Sequence, residues 1–225
     1  ITHRDLSQLA RCRMLEREER LRSDAIARDR IGEAYEDHAR DCASLGEYQK
    51  ALHYLSLALL EQGEAGRLLH LRGLWRDRIG DKDGARDSYE RAGEWSAPKF
   101  NLALLHYRAQ RNDEALACVD QAIELGTDDR AYRVLRGDIL DRLGRKGEAR
   151  GEWQDAVDGK LDLEAMDDFT LSWLETATRR LGNEAVRERI QQQRHQFDER
   201  MKPANRQGEL PARYEAVPPV DGVPS

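Results

Sequence analysis

LLHLRGLWRDRIGDKDGARDSYERA, residues 68–92, returns sixty-four residues later as YRVLRGDILDRLGRKGEARGEWQDA, residues 132–156, with ten of twenty-five aligned positions identical. The identities are Leu71/Leu135, Arg72/Arg136, Gly73/Gly137, Asp77/Asp141, Arg78/Arg142, Gly80/Gly144, Lys82/Lys146, Ala85/Ala149, Arg86/Arg150 and Ala92/Ala156. The same skeleton fits two more segments, with small residues at Ala39, Gly73, Ala103 and Gly137, then Gly46, Gly80, Gln110 and Gly144. It continues through Ala51, Ala85, Ala115 and Ala149 and closes on Ala58, Ala92, Ala122 and Ala156. Successive spacings are 34, 30 and 34 residues. Ala and Gly are about one residue in five of the chain yet fill fifteen of these sixteen slots, so the pattern is a repeat.

Each unit reads as two amphipathic helices. Apolar residues recur at three- and four-residue steps, and Gly46, Gly80 and Gly144 stand where a first helix must stop. In the second helix the paired alanines lie seven apart, on one face where only a methyl fits. Leu55, Tyr89, Val119 and Trp153 fill the space beside them. The units begin near Gly32, Gly66, Ser96 and Arg130. The second is one helical turn short, which predicts a helix ending at Gly93 and the next beginning after Pro98.

On these residues the chain resembles the tetratricopeptide-repeat family, over Gly32 to about Lys160 and more weakly to about Gln196. The resemblance implies an all-α fold, a right-handed superhelix (α-solenoid) of antiparallel helix pairs with helical caps at both ends. One departure stands out: Arg72 and Arg136 occupy a slot where the family usually places Leu, with Leu71 and Leu135 one residue earlier. Four regions follow. Residues 1–31 read as a charged capping helix carrying Leu6, Leu9, Met14 and Leu15, and 32–160 hold the four repeats. Residues 161–201 read as a degenerate fifth pair with Leu171, Leu174, Ala177, Leu181, Ala185, Val186 and Ile190, turning at Gly182-Asn183. Residues 202–225, with five of the six prolines, read as an extended tail.

Composition excludes several functions. Of 225 residues, 36% are charged and 39% hydrophobic, and the net charge is −6, which disfavours a duplex-binding surface and leaves RNA recognition by helical-pair repeats as a distant reading. No stretch is apolar enough for a membrane span. Cys12, Cys42 and Cys118 form no CxxC and leave one unpaired in any disulfide scheme, which favours a reducing compartment and a cytoplasmic location. The start at Ile1 leaves a removed leader or an upstream domain open. Thirty-one arginines against six lysines point to a GC-rich, bacterial genome.

The sequence holds no GxSxG, no GxxxxGK[ST], no glycine-rich dinucleotide turn and no HExxH. His3, His38, His53, His70, His106 and His195 show no ligand spacing, and Cys42 and Cys118 sit on packing faces. No enzyme, cofactor or metal site is expected.

In the resembled family the first helices line the concave side. Here they carry stripes at helical spacing: Arg67, Leu71, Leu74 and Arg78; Phe100, Leu104, Tyr107 and Arg108; and Leu135, Asp138 and Arg142 with Val134 beside them. Each stripe lies off the faces of Trp75 and Ile79, Leu102 and Ala103, or Ile139 and Leu143, which are expected to meet the partner helix. The stripes predict a peptide groove with an apolar floor. Arg78, Arg108 and Arg142, at equivalent slots, form a ladder able to hold carboxylates in bidentate fashion, and Asn101 would add amide contacts. Burying about 400 Å² of apolar ligand surface would give a gross gain on the order of 10 kcal/mol, which association costs reduce to micromolar binding. Against this stands packing of Leu71, Leu74 and Leu135 on neighbouring first helices, with the arginines paired internally.

In the subfamily that captures the C-terminal carboxylate of heat-shock chaperones, Lys and Asn occupy fixed first-helix slots. Those slots here hold Glu36 and Arg40, or His70 and Leu74, and only Asn101 matches, so a clamp of that type is disfavoured. The expected function is a non-catalytic scaffold or adaptor holding a protein or peptide, with an acidic or carboxylate-bearing segment as the ligand chemistry. The alternative is a regulatory or targeting module of a larger enzyme or secretion machine. The tail reads either as a flexible linker with no fixed contacts or as a segment whose Leu210, Tyr214 and Val217, beside glutamates, dock in such a groove of its own or a neighbouring molecule. Tail and caps are also where copies of the chain would pair.

Overall fold

The computed structural model describes residues 28–126, 130–158 and 161–207. Ten helices follow one another among the described residues, with no strand between them. They are α1 (Arg28–Ser44), α2 (Tyr48–Gln62), α3 (Gly66–Arg78), α4 (Lys82–Arg91), α5 (Ser96–Arg108), α6 (Asn112–Leu125), α7 (Arg130–Arg142), α8 (Lys146–Val157), α9 (Asp168–Leu181) and α10 (Glu184–Gln207). The described residues fall into two compact units, one built on residues 28–93 and the other on residues 94–202. The first holds α1 to α4; the second holds α5 to α9 and most of α10. No described helix is long and apolar enough to cross a membrane.

The helix pairs form because each turn closes in the same way. Gly46, Gly80, Gly144 and Gly182 have φ between 70° and 85°, and the third stop in chain order, Gln110, takes φ 59° without being glycine. At each stop the amide of the next residue donates back to a carbonyl five positions earlier. Glu47 to Cys42, Asp81 to Arg76, Arg111 to His106, Arg145 to Leu140 and Asn183 to Thr178 all measure 2.9 Å. This is the left-handed termination that satisfies orphan carbonyls, and a Cβ there is unfavourable. Gln110→Gly is therefore expected to stabilise the chain by about 1 kcal/mol in urea denaturation; unchanged or lower stability would show that the Gln110 side chain contributes contacts the turn geometry does not reveal.

The skeleton alanines are interior: Ala39, Ala51, Ala58, Ala85, Ala103, Ala115, Ala122, Ala149 and Ala156 are fully buried. The small residues of the first helices admit the bulky ones of the second. A Cβ placed on Gly73 would meet the Tyr89 ring at 2.4 Å, and one on Gly137 would meet Trp153 Nε1 at 2.5 Å. Arg72 and Arg136, the departures from the leucine slot, reach across to second helices. Arg72 Nε donates to Ser88 Oγ at 3.1 Å. Arg136 Nε donates to Asp120 Oδ1 at 2.6 Å, and its guanidinium also pairs with Glu152, so it joins α6 and α8. Burial pushes the Cys42 thiol up to about 11 and holds the His70 imidazole down to about 4, so both are neutral packing groups at pH 7.

Several expectations need correction. Helix α5 begins at Ser96, before Pro98, because the first-turn amides of a helix have no internal acceptor to lose. Ile79 was expected to pack but is exposed; it caps α3 at the turn, beyond the last buried ridge. Ala185 is likewise exposed on α10. Helix α10 continues past Met201 and through Pro203 to Gln207, since one proline removes a single backbone hydrogen bond and the following residues carry no further break. The stretch 1–27 of the expected N-terminal cap, with Leu6, Leu9, Met14 and Leu15, lies outside the described residues, as do the tail anchors Leu210, Tyr214 and Val217.

Candidate functional site

In the second unit the first helices stand side by side, because α7 packs on both α5 and α9 while α6 and α8 supply the second layer. The N-terminal ends of these three helices meet through aromatic rings. Phe100 of α5 stacks on Tyr132 of α7 with centroids 4.4 Å apart, and meets Phe169 and Trp173 of α9 edge-on at 5.9 and 5.7 Å. Leu171, Leu174 and Ala177 of α9 are fully buried in the same core, so the degenerate fifth pair is an integral layer.

The C-terminal ends bring charge together. Arg142 lies with its guanidinium carbon 3.5 Å from the Tyr107 ring centroid and donates to the Tyr107 carbonyl at 2.8 Å. One turn before it on α7, Asp138 is buried, and Arg180 of α9 brings Nε to 3.4 Å from Asp138 Oδ1. The Arg180 guanidinium also faces the Trp153 ring at 5.9 Å. The Arg180 to Asp138 contact is an ion pair rather than a close hydrogen bond, and the enclosed Asp138 carboxyl also has the Trp153 indole N–H beside it. Burial pushes the Asp138 carboxyl up to about 6, against the pull of Arg180, then the Trp153 indole N–H, then Arg142. Burial and the Asp138 charge hold the Tyr107 phenol up at about 12, so it keeps its proton at neutral pH. A carboxylate kept where its charged form is disfavoured, beside two guanidiniums, makes this end of the unit a candidate functional face.

The expected groove residues fall into three groups. Phe100, Leu104, Val134 and Leu135 belong to the core of the second unit, and Leu71 and Leu74 are also buried, so the apolar floor is not open. In the second unit the reason is the side-by-side packing of first helices, which uses the same spacing that a groove-facing stripe would use. Asn101 is buried as well. Arg67, Arg78, Tyr107, Arg108, Asp138 and Arg142 make up the rest. Arg78 is exposed with no ion-pair partner among the described residues, Arg108 is half-buried, and Arg142 is committed to Tyr107. The ladder is thus not three equivalent free arginines.

Arg180 was missed. It stands two residues before Gly182, as Arg78 stands before Gly80, Arg108 before Gln110 and Arg142 before Gly144, so the ladder runs one rung further than the four clear repeats. The signal was the distance back from the turn residue. It was hidden because the fifth stop follows the fourth by 38 residues rather than 34.

The first unit holds a related cluster. Glu36 of α1 is nearly enclosed and accepts from Arg40 at 3.1 Å and from Arg67 of α3, which also donates to Gln62 Oε1 at 2.7 Å. All three guanidinium contacts are internal, so Arg67 is not an unengaged groove residue.

Comparison with known proteins agrees with this architecture. A sequence model of the tetratricopeptide repeat matches residues 100–162, from α5 through α8. No curated protein sequence matches. Among solved structures, YrrB, described as a tetratricopeptide-repeat protein with an unusual peptide-binding site, superposes with a TM-score of 0.53 at 18% identity, covering 79% of this chain and 89% of its own. PilF of Pseudomonas aeruginosa gives 0.58 at 14% identity, covering 87% and 91%. MamA from Desulfovibrio magneticus RS-1 gives 0.53 at 15%, covering 76% and 97%. At such identities the likeness is one of fold. Residues 100–162 match the tetratricopeptide repeat, and the repeated turns and buried small-residue skeleton of the described residues share the helix-pair fold of these structures.

Proposed function

We propose that the chain is a non-catalytic interaction scaffold that holds a peptide or protein segment of a partner on the face formed by α5, α7 and α9. The observation that carries this reading is the convergence of Tyr107, Asp138, Arg142 and Arg180 from three successive first helices onto one end of the second unit. Rigid helices hold these groups, the aromatic cluster at the other end fixes the helices against one another, and Arg180 remains 42% exposed. A fixed array of aromatic and guanidinium groups can bind an extended segment without a large ordering cost. The neighbour YrrB, described as having an unusual peptide-binding site, supports the capacity of this fold for such a role.

Selection of peptides from a random display library on the full chain tests the reading. The selected peptides are expected to bind Arg180→Glu at least about tenfold more weakly than wild type, an effect of roughly 1.4 kcal/mol. Ala117→Glu, on the exposed side of second helix α6, should leave them unaffected. Failure to enrich any peptide, or equal binding to Arg180→Glu, would contradict the assignment of this face.

A further inference from the structure

We propose that Asp138 is an internal counter-ion for Arg180, standing where the carboxylate of an acidic partner segment binds, and that such a segment takes its place on this face. The proposal rests on the reading of α5, α7 and α9 as a peptide-holding surface and adds the chemistry it selects. Arg180 has Asp138 as its ion-pair partner among the described residues, at 3.4 Å, while the Asp138 side chain is only 8% exposed. The guanidinium carries five N–H donors, and one loose contact through Nε leaves the others unused by Asp138. Arg142, one turn beyond Asp138, is immobilised by the Tyr107 ring and carbonyl and so adds fixed positive potential.

The charged and titratable groups around Asp138 are Arg180 from α9, Arg142 and Asp141 from α7, and Tyr107 from α5. Two cations therefore face two carboxylates, and the cluster is balanced while Asp138 is ionised. A basic segment would meet two guanidiniums at close range, and an uncharged one would leave the Arg180 to Asp138 pair as it is. An acidic segment gains most, because its carboxylate matches the planar fork that Asp138 engages poorly. It cannot do so cheaply beside a buried negative charge, since like charges in one enclosed site drive one of them to take a proton. Binding is therefore coupled to proton uptake at Asp138. The carboxyl is already pushed up to about 6 by burial, so this coupling falls close to neutral pH: above 6 the ionised Asp138 competes, and below 6 the cluster carries one net positive charge.

The test uses a fluorescein-labelled decapeptide with four glutamates and its all-glutamine counterpart, titrated against the full chain at low salt. Wild type is expected to bind the glutamate peptide about fivefold or more tightly at pH 5 than at pH 7.5, with the glutamine peptide unaffected by pH. Asp138→Asn should bind the glutamate peptide at pH 7.5 as tightly as wild type does at pH 5, with the pH dependence gone. Arg180→Gln should lose the preference for glutamate over glutamine. Calorimetry in buffers of different ionisation enthalpy reads the same coupling without any substitution, and near pH 6.5 the wild type should take up protons on binding. Affinity independent of pH, absence of proton uptake, or weaker binding by Asp138→Asn would overturn the proposal. Display-selected peptides that bind the face but carry no Asp or Glu would overturn it while leaving the interaction surface standing; absence of any peptide binding there would remove both.

Discussion

Trp173→Ala is expected to destabilise the second unit by about 3–5 kcal/mol, the largest loss of any single truncation considered. Trp173 is almost fully buried and meets Phe100 of α5 at 5.7 Å and Phe169 of its own helix at 6.2 Å. Removing it leaves a void at the point where α9 is anchored to α5, in a core too closely packed to collapse fully. For a chain of this size the thermal midpoint should fall by roughly 10 °C. Trp173→Phe should cost far less, about 1–2 kcal/mol, because the indole N–H finds no acceptor among the described residues and the smaller ring removes that unpaired donor while keeping most of the contact. Thermal unfolding of the three proteins checks both. A loss for Trp173→Ala below about 1 kcal/mol would mean that α9 docks without its aromatic anchor. Because α9 also carries Arg180, the same substitution should weaken any ligand of the first-helix face.

Gly137→Ala should lower stability by about 1–3 kcal/mol, although alanine is by itself the better helix former by close to 1 kcal/mol. The added methyl would lie 2.5 Å from Trp153 Nε1, 2.6 Å from its Cδ1 and 3.1 Å from the Ala149 carbonyl oxygen. The last is backbone, so the indole has little room to retreat unless α7 and α8 separate. The opposite sign is expected at Gly151, in the middle of α8, where a Cβ meets nothing within 4 Å. Gly151→Ala should stabilise by about 0.5–1 kcal/mol. Chemical denaturation of the two variants side by side separates close approach from helix propensity. Stabilisation by both would mean that Trp153 does not pack against α7 as described.

These two glycines show what the sequence made legible. A repeated Gly or Ala at a fixed distance from a turn is a steric statement about the residue opposite; Tyr89 and Trp153 were legible as bulky fillers beside the second-helix alanines, and the coordinates show that they close on Gly73 and Gly137. The stops at Gly46, Gly80 and Gly144 were legible for the same reason, since local backbone geometry alone demands them. What faces a groove was not. Leu104 and Leu135 recur at the spacing of a ligand-facing stripe, but a first helix packed between two others needs apolar residues at that spacing too, and in the second unit packing wins. The charged site was half legible. Tyr107, Asp138 and Arg142 lie on recognisable repeats, whereas Arg180 sits in a pair whose register has slipped by four residues and whose remaining small-residue slots have drifted.

Amide hydrogen exchange of the full chain, with and without a peptide selected on it, tests the central claim most directly. The account predicts new protection in α5, α7 and α9, strongest toward their C-terminal ends around Tyr107, Arg142 and Arg180, with α6 and α8 little changed. Protection confined to α6 and α8, with the three first helices exchanging as before, would contradict it.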